Sequence, residues 1–209
     1  TTPIVATITV TPTFTNGATN CIGTPKTFTI TVNPSGQVNQ PTNQVVCNNT
    51  ATNAVNFSTT NTNGTTSYAW SINTNIGLSP LTGTGDLPSF TAINTGTTPI
   101  TATITVTPTY NGTSICNGTS KTFTITVNPS GQVNQPTNQV VCNNTATSTV
   151  NFSTTNTVGT TSYAWSFDTN IGLIPLTGSG NIPSFTAINT GTTPIVATIT
   201  VTPTFTNGA

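Results

Sequence analysis

A single period dominates the chain. Residues 37–52, QVNQPTNQVVCNNTAT, return unchanged at 132–147, an offset of 95. The correspondence runs on through Trp70 and Trp165, then Phe90 and Phe185. Comparing 37–109 with 132–204 gives ten differences in 73 aligned positions. Residues 1–18 recur without change as 192–209. A fixed period of this kind is the signature of an array, in which each unit is one small fold stacked on its neighbours. The segment NPSGQVNQPTNQ, at 33–44 and 128–139, is rich in Pro, Gly, Ser, Asn and Gln and is the natural boundary. Cutting there leaves 1–36 as the C-terminal part of a preceding repeat, 37–131 as a complete repeat, and 132–209 as the next repeat lacking its final strand. The chain is therefore expected to be an internal stretch of a longer array.

Within the repeat the apolar period is two. Ile100, Ala102, Ile104 and Val106 alternate with threonines across 99–109, and Phe123, Ile125 and Val127 do the same across 121–128. Such alternation marks half-buried strands. These two flank the loop carrying Cys116 and are expected to form a hairpin. Val45 and Val46 lie on a first strand. Val55 with Phe57, and Tyr68 with Trp70 and Ile72, mark two more faces. Ile76 with Leu78, and Phe90 with Ala92, are read as short strands. About seven short strands separated by Asn-Gly, Thr-Gly and Pro signals predict an all-β, Ig-like sandwich. No segment has helical period. The outward positions are mostly Thr, which suits a solvated pleated surface.

Charge is nearly absent. Lys26, Lys121, Asp86 and Asp168 are the only charged residues, and His is missing. A phosphate-binding surface needs clustered cations, so nucleic acid is not an expected partner. No run approaches the roughly 20 apolar residues of a spanning helix, so direct membrane insertion is not expected. The opening TTPIVATITV has no basic leader region, so no signal peptide is read there. General acid–base chemistry needs a tunable group, and Asp86 faces Asn181 in the next repeat while Asp168 faces Asn73. An acid that its own sister copy lacks is a poor catalyst, so no enzyme activity is expected. Two scattered aspartates cannot supply the six to eight oxygens of a calcium site, so neither metal nor other cofactor is expected.

Four cysteines fall two per repeat: Cys47 and Cys116, with equivalents Cys142 and Cys21 respectively. An even count in a secreted β protein points to disulfides, and the lack of Cys-x-x-Cys and His argues against metal. Three pairings are open. Cys47–Cys116 lies within one repeat and is favoured because each repeat carries both members. Against it, the two would sit at opposite ends of the fold, a separation that can exceed about 20 Å at strand rise, whereas a disulfide needs Cα atoms within about 7 Å. A first-strand cysteine could instead meet the hairpin cysteine of the next repeat, or Cys21 could pair with Cys47 and Cys116 with Cys142. Lys26 and Lys121 open the same strand in successive copies and read as edge lysines, not as partners in an isopeptide crosslink. Seven Asn-x-Ser/Thr triplets, at Asn48, Asn56, Asn63, Asn111, Asn117, Asn143 and Asn151, follow from an Asn- and Thr-rich composition.

The runs CNNTATNAVNFSTT, TSYAWSI, GTGDLPSFTAINTGTTPITATITVTPT and KTFTITVNP resemble the PKD-like, Ig-like repeats of giant Bacteroidota surface adhesins, including gliding-motility adhesins of the SprB type. The resemblance spans the chain, and TPITATITVTPT followed by KTFTITVNP is its most specific part. It implies a tandem sandwich stalk on the extracellular face of the bacterial cell, exported by type IX secretion. The acidic turn of better-known PKD repeats is missing here, since SIN (71–73) or SFD (166–168) follows the Trp. The expected function is a structural repeat stalk of a secreted, filamentous surface adhesin, with neighbouring repeats, other filament chains or surface glycans as partners. Two alternatives stand beside it: a donor-strand-assembled, pilus-like fibre subunit, and a carbohydrate- or protein-binding module using Tyr110, Phe14 or Phe205 at the hairpin loop.

Overall fold

A computed structural model of the protein describes residues 1–208. Its secondary structure is all β. In chain order the strands are β1 (Ile4–Val10), β2 (Thr13–Asn16), β3 (Thr19–Ile22), β4 (Lys26–Val32), β5 (Gln44–Cys47), β6 (Thr65–Ile72) and β7 (Thr82–Thr84). They continue with β8 (Ile100–Asn111), β9 (Ile115–Asn117), β10 (Lys121–Asn128), β11 (Thr160–Phe167), β12 (Thr177–Ser179) and β13 (Ile199–Thr206). β1 pairs with β4, and β2 with β3. One sheet runs β5-β10-β8-β6-β7, with β9 also on β8, and another runs β12-β11-β13. By contact density the chain forms two compact units. One contains Thr1–Asn43, Asn53–Phe90 and Ala102–Thr124; the other contains Gln44–Thr52, Thr91–Thr101 and the chain from Ile125 onward.

The period-two pattern becomes burial directly. Along β8 every second residue from Ala102 to Tyr110 is buried, and the intervening threonines stay half-exposed. β10 buries Phe123, Ile125 and Val127 in the same way. β6 turns Trp70 and Ile72 inward, with Trp70 opposite Val106 and Ile72 opposite Ile104 on β8. The same ladder recurs at β11 and β13, where Trp165 faces Val201 and Phe167 faces Ile199. The loop-to-strand segment TGT is a strand because it must cover the Trp. A Cβ at Gly83 would overlap the Trp70 ring, and one at Gly178 would overlap Trp165. Only glycine lets β7 and β12 lie that close.

Three short strands expected from the sequence, at 55–57, 76–78 and 90–92, are not strands. Ile76 and Leu78 are buried in an irregular segment bent at Gly77, whose φ is 107°. Two apolar residues with one between them mimic alternation, but a positive φ at the central position breaks the extended backbone. Phe90 and Ala92 flank a single bridge, Ala51 to Thr91, and Val55 bridges Leu87. These lone bridges recur as Ala146–Thr186 and Val150–Ile182.

Identical sequence does not always yield identical structure. QVVC forms β5 at 44–47, where it runs parallel to Ile125–Asn128 of β10. The same QVVC at 139–142 is not a strand. β8 begins at Ile100, yet its counterpart β13 begins only at Ile199, so residues 195–198 have lost their ladder. Ile104 is 0% exposed, while its counterpart Ile199 is 38% exposed. Truncating Ile104 to Ala should therefore cost about 2–5 kcal/mol, as buried Ile deletions do, and Ile199→Ala distinctly less. Urea unfolding of the two variants should show the larger loss of midpoint for Ile104→Ala.

Candidate joint between repeats

The boundary segment rich in Pro, Gly and Ser is held by side-chain amides. In one unit, Asn61 Oδ1 accepts hydrogen bonds from the Gln37 N–H (2.8 Å), Thr59 Oγ1 (2.9 Å) and Thr66 Oγ1 (3.2 Å). Its Nδ2 donates to Thr1 Oγ1 (2.7 Å) and the Ser35 carbonyl (3.2 Å). In the other unit, Asn156 Oδ1 accepts from the Gln132 N–H (2.8 Å), Thr154 Oγ1 (3.0 Å) and Thr161 Oγ1 (3.3 Å). Asn156 Nδ2 donates to the carbonyls of Ser130 (3.2 Å) and Thr97 (3.3 Å). An amide has two donors and two acceptor lone pairs; here both donors are used and the oxygen is shared among three donors. Each half-buried Asn thus ties three chain segments together.

Packing reinforces the clamp. A Cβ on Gly36 would come within 2.7 Å of the Pro108 carbonyl oxygen, and one on Gly131 would come equally close to that of Pro203. The SGQ step needs glycine because two backbones touch. Val38 follows as a buried residue. Asn39 then bonds Ser58 through both its backbone and its side chain, and Asn134 does the same with Ser153. Composition alone reads this stretch as flexible. The signal that could have revealed the clamp is the repeated Thr-x-Asn at 59–61 and 154–156, a local side-chain turn motif.

The acids take part in the same kind of bonding. Asp86 Oδ1 accepts from the Phe57 N–H at 2.8 Å, and Asn181 Oδ1 accepts from Phe152 N–H at 2.9 Å. Asp168 Oδ1 accepts from Thr198 N–H at 2.8 Å, and Asn73 Oδ1 accepts from Thr103 N–H at 2.8 Å. What each position requires is a carbonyl-like oxygen, which Asp and Asn supply equally, and that explains their interchange. Among the described residues no group of three or more His, Cys, Asp or Glu gathers. A shallow depression lined by Thr82, Thr84, Thr105 and Thr107 lies over Trp70 and carries hydroxyls but no titratable side chain.

The structure does not bring the cysteines together. Cys21, Cys47, Cys116 and Cys142 are all free thiols. Cys47 lies beside Asn128, the last residue of β10, whereas Cys116 lies on β9 opposite Tyr110. Cys47 and Cys116 fall in different compact units. In this structure neither Cys47–Cys116 nor Cys21–Cys47 nor Cys116–Cys142 is bonded. Of the loop aromatics, Tyr110 is buried under Gly64 and Gly112, while Phe14 is exposed. No protein-family model and no curated protein matches this chain.

Two outcomes follow from these geometries. Replacing Asn156 with Ala should leave the Gln132 N–H and two hydroxyls short of a partner, at about 1–3 kcal/mol for the buried share. Hydrogen exchange should then speed up at Gln132 and Asn134 while β11 and β13 stay protected. The second concerns acid. The Thr198 N–H holds the exposed Asp168 carboxyl below its ordinary pKa of 3.8. A depressed carboxyl stabilises the fold above its unfolded pKa, and that share is lost as pH falls through the lower folded value. Asp168→Asn should thus match the parent at neutral pH and show a smaller loss of Tm below about pH 4, seen by thermal scans across pH.

Proposed function

We propose that this chain is a length of the repeat stalk of a secreted, filamentous bacterial surface adhesin, of the PKD-like kind it resembles. The observation that supports this reading is the Asn-centred clamp on the boundary segment, built twice with the same donors and acceptors from Gln37, Thr59 and Thr66 and from Gln132, Thr154 and Thr161. A stalk must pass load from one unit to the next without a slack linker. A boundary whose backbone is clamped by side chains and closed by Gly36 or Gly131 meets that requirement. Equal joints at equal spacing give each step the same geometry, which is how repeat arrays acquire a regular pitch.

The surface suits the same role. With four charged residues there is little for salt to screen or for pH to titrate. Threonine-covered strands offer hydroxyls to water, and lysines open β4 and β10. In this reading the stalk is an extracellular spacer that reaches the cell surface by type IX export and works in adhesion or gliding. Its partners are its own neighbouring repeats, other filament chains and surface glycans.

The test is made on the source cells. Antibody raised against these residues should label intact cells, and denaturing gels of reduced whole-cell protein should show the label on a very large polypeptide. A band at the size of the 209 residues alone, or label that appears only after lysis, would overturn the stalk.

A further inference from the structure

Asparagine is a thermolabile residue. It is most exposed to loss of its amide when glycine follows, because glycine has no side chain to shield its own nitrogen or to restrict the backbone. Five such steps occur here: Asn16–Gly17, Asn63–Gly64, Asn111–Gly112, Asn117–Gly118 and Asn207–Gly208. The dipeptides are the same, so the fold decides which of them reacts. Reaction requires rotation about the Asn Cα–C bond and a free Gly nitrogen. Asn16 is held opposite Thr19, Asn111 opposite Thr65 and Ile115, and Asn117 opposite Thr109. The Gly118 N–H is also committed, to the Pro108 carbonyl at 2.8 Å. The Asn111 amide donates to Ser67 Oγ (3.0 Å), and the Asn207 amide to Asn128 Oδ1 (3.3 Å).

Asn63 differs from all of these. Asn63 and Gly64 form an exposed bend just before β6, outside every ladder. Among the described residues nothing bonds the Asn63 amide or the Gly64 N–H. The other repeat has Val158 at this place, followed by Gly159. The two glycines have nearly the same φ, 73° at Gly64 and 76° at Gly159. The bend therefore keeps its shape without an amide, and no structural duty restrains Asn63.

We propose that Asn63–Gly64 is a site of spontaneous covalent ageing that loosens the Asn61 clamp. The Gly64 nitrogen attacks Asn63 Cγ and closes a succinimide. The Cγ–Nδ2 bond breaks, and ammonia leaves with the proton that Gly64 gave up. Water then opens the ring, giving aspartate through one carbonyl and isoaspartate through the other. No oxidant or reductant is needed. Isoaspartate routes the main chain through the side-chain carbon and so lengthens it between 63 and 64. The bend has no room for that carbon. A Cβ on Gly64 would already lie 2.8 Å from the Tyr110 ring and 2.9 Å from the Asn111 carbonyl oxygen. Tyr110 is buried and pairs with Thr66, whose hydroxyl bonds Asn61 Oδ1 at 3.2 Å. That same oxygen accepts the Gln37 N–H at 2.8 Å. The added carbon pushes on Tyr110, withdraws Thr66 and weakens the hold on the boundary segment. The Asn156 clamp follows the same plan beside Val158 and has no amide there to lose. Of the two clamps, one ages and the other does not. This inference stands apart from the stalk reading.

The experiment incubates the folded 209-residue chain in mildly alkaline buffer and follows it by chymotryptic peptide mass mapping, with isoaspartyl methyltransferase labelling to count isoaspartate. The peptide spanning 58–68 should gain the mass of amide-to-acid exchange, placed at Asn63 by fragmentation, while Asn16, Asn111 and Asn117 keep their amides. In urea all of these should convert together, which assigns the selection to the fold. Hydrogen exchange on the aged protein should show lost protection at Gln37 and unchanged protection at Gln132. The Asn63→Val variant, which copies the other repeat, should keep its circular dichroism and its Gln37 protection after the same incubation. Conversion at Asn16, Asn111 or Asn117 as fast as at Asn63 in the folded chain would overturn the site. Full Gln37 protection in the converted protein, or equal loss in the Asn63→Val variant, would overturn its link to the clamp.

Discussion

The architecture turns on one eight-residue strand. β10 lies between β5 and β8, and its Phe123, Ile125 and Val127 fill the space beneath β8 and Phe57. Where that strand is present, Ala102, Ile104 and Val106 are sealed, QVVC pairs, and β8 runs for twelve residues. β13, the counterpart of β8, spans eight residues, Ile199–Thr206. A β-strand has no internal hydrogen bonds, so it exists only while a neighbour supplies them. This makes sheet proteins cooperative in a way that helices are not.

The second constraint is the near-absence of charge. A fold built from Thr and Asn must satisfy its buried backbone without ion pairs. It does so with amides: Asn43 accepts from Thr124 N–H, Asn48 from Asn94 N–H, and Asn73 from Thr103 N–H. Each closes a backbone donor that no strand partner reaches. Asp86 and Asp168 accept the same backbone hydrogen bonds as Asn181 and Asn73. The buried indole N–H groups of Trp70 and Trp165 have no such partner. Both rings are pressed against glycine on the neighbouring strand, so shape complementarity there was achieved at the expense of one hydrogen bond each.

Much of this was legible in the residues. Alternation located β8, β10 and β6, because period two is a property of the pleat itself. The inward face of Trp70 and Ile72 followed from the same rule. The segment Ile76–Leu78 misled because apolar spacing cannot report φ. The cysteine count carries no distance, so it could not place Cys47 on β5 and Cys116 on β9. β7 went unseen because TGT has no apolar residue; it is a strand only because the Trp70 ring lies beneath it.

The joint was half legible. Composition marked 33–44 as a boundary, but the clamp that holds it, Asn61 with Ser35 and Gln37, joins residues more than twenty positions apart. By itself the sequence determined the all-β class, the period and the inward faces of β6, β8 and β10, since all of these are carried by local pattern and residue type. Tertiary structure alone decided whether a given segment became a strand. QVVC occurs twice with the same neighbours in sequence, and only at 44–47 does it pair, because only there does β10 offer a row of backbone donors and acceptors.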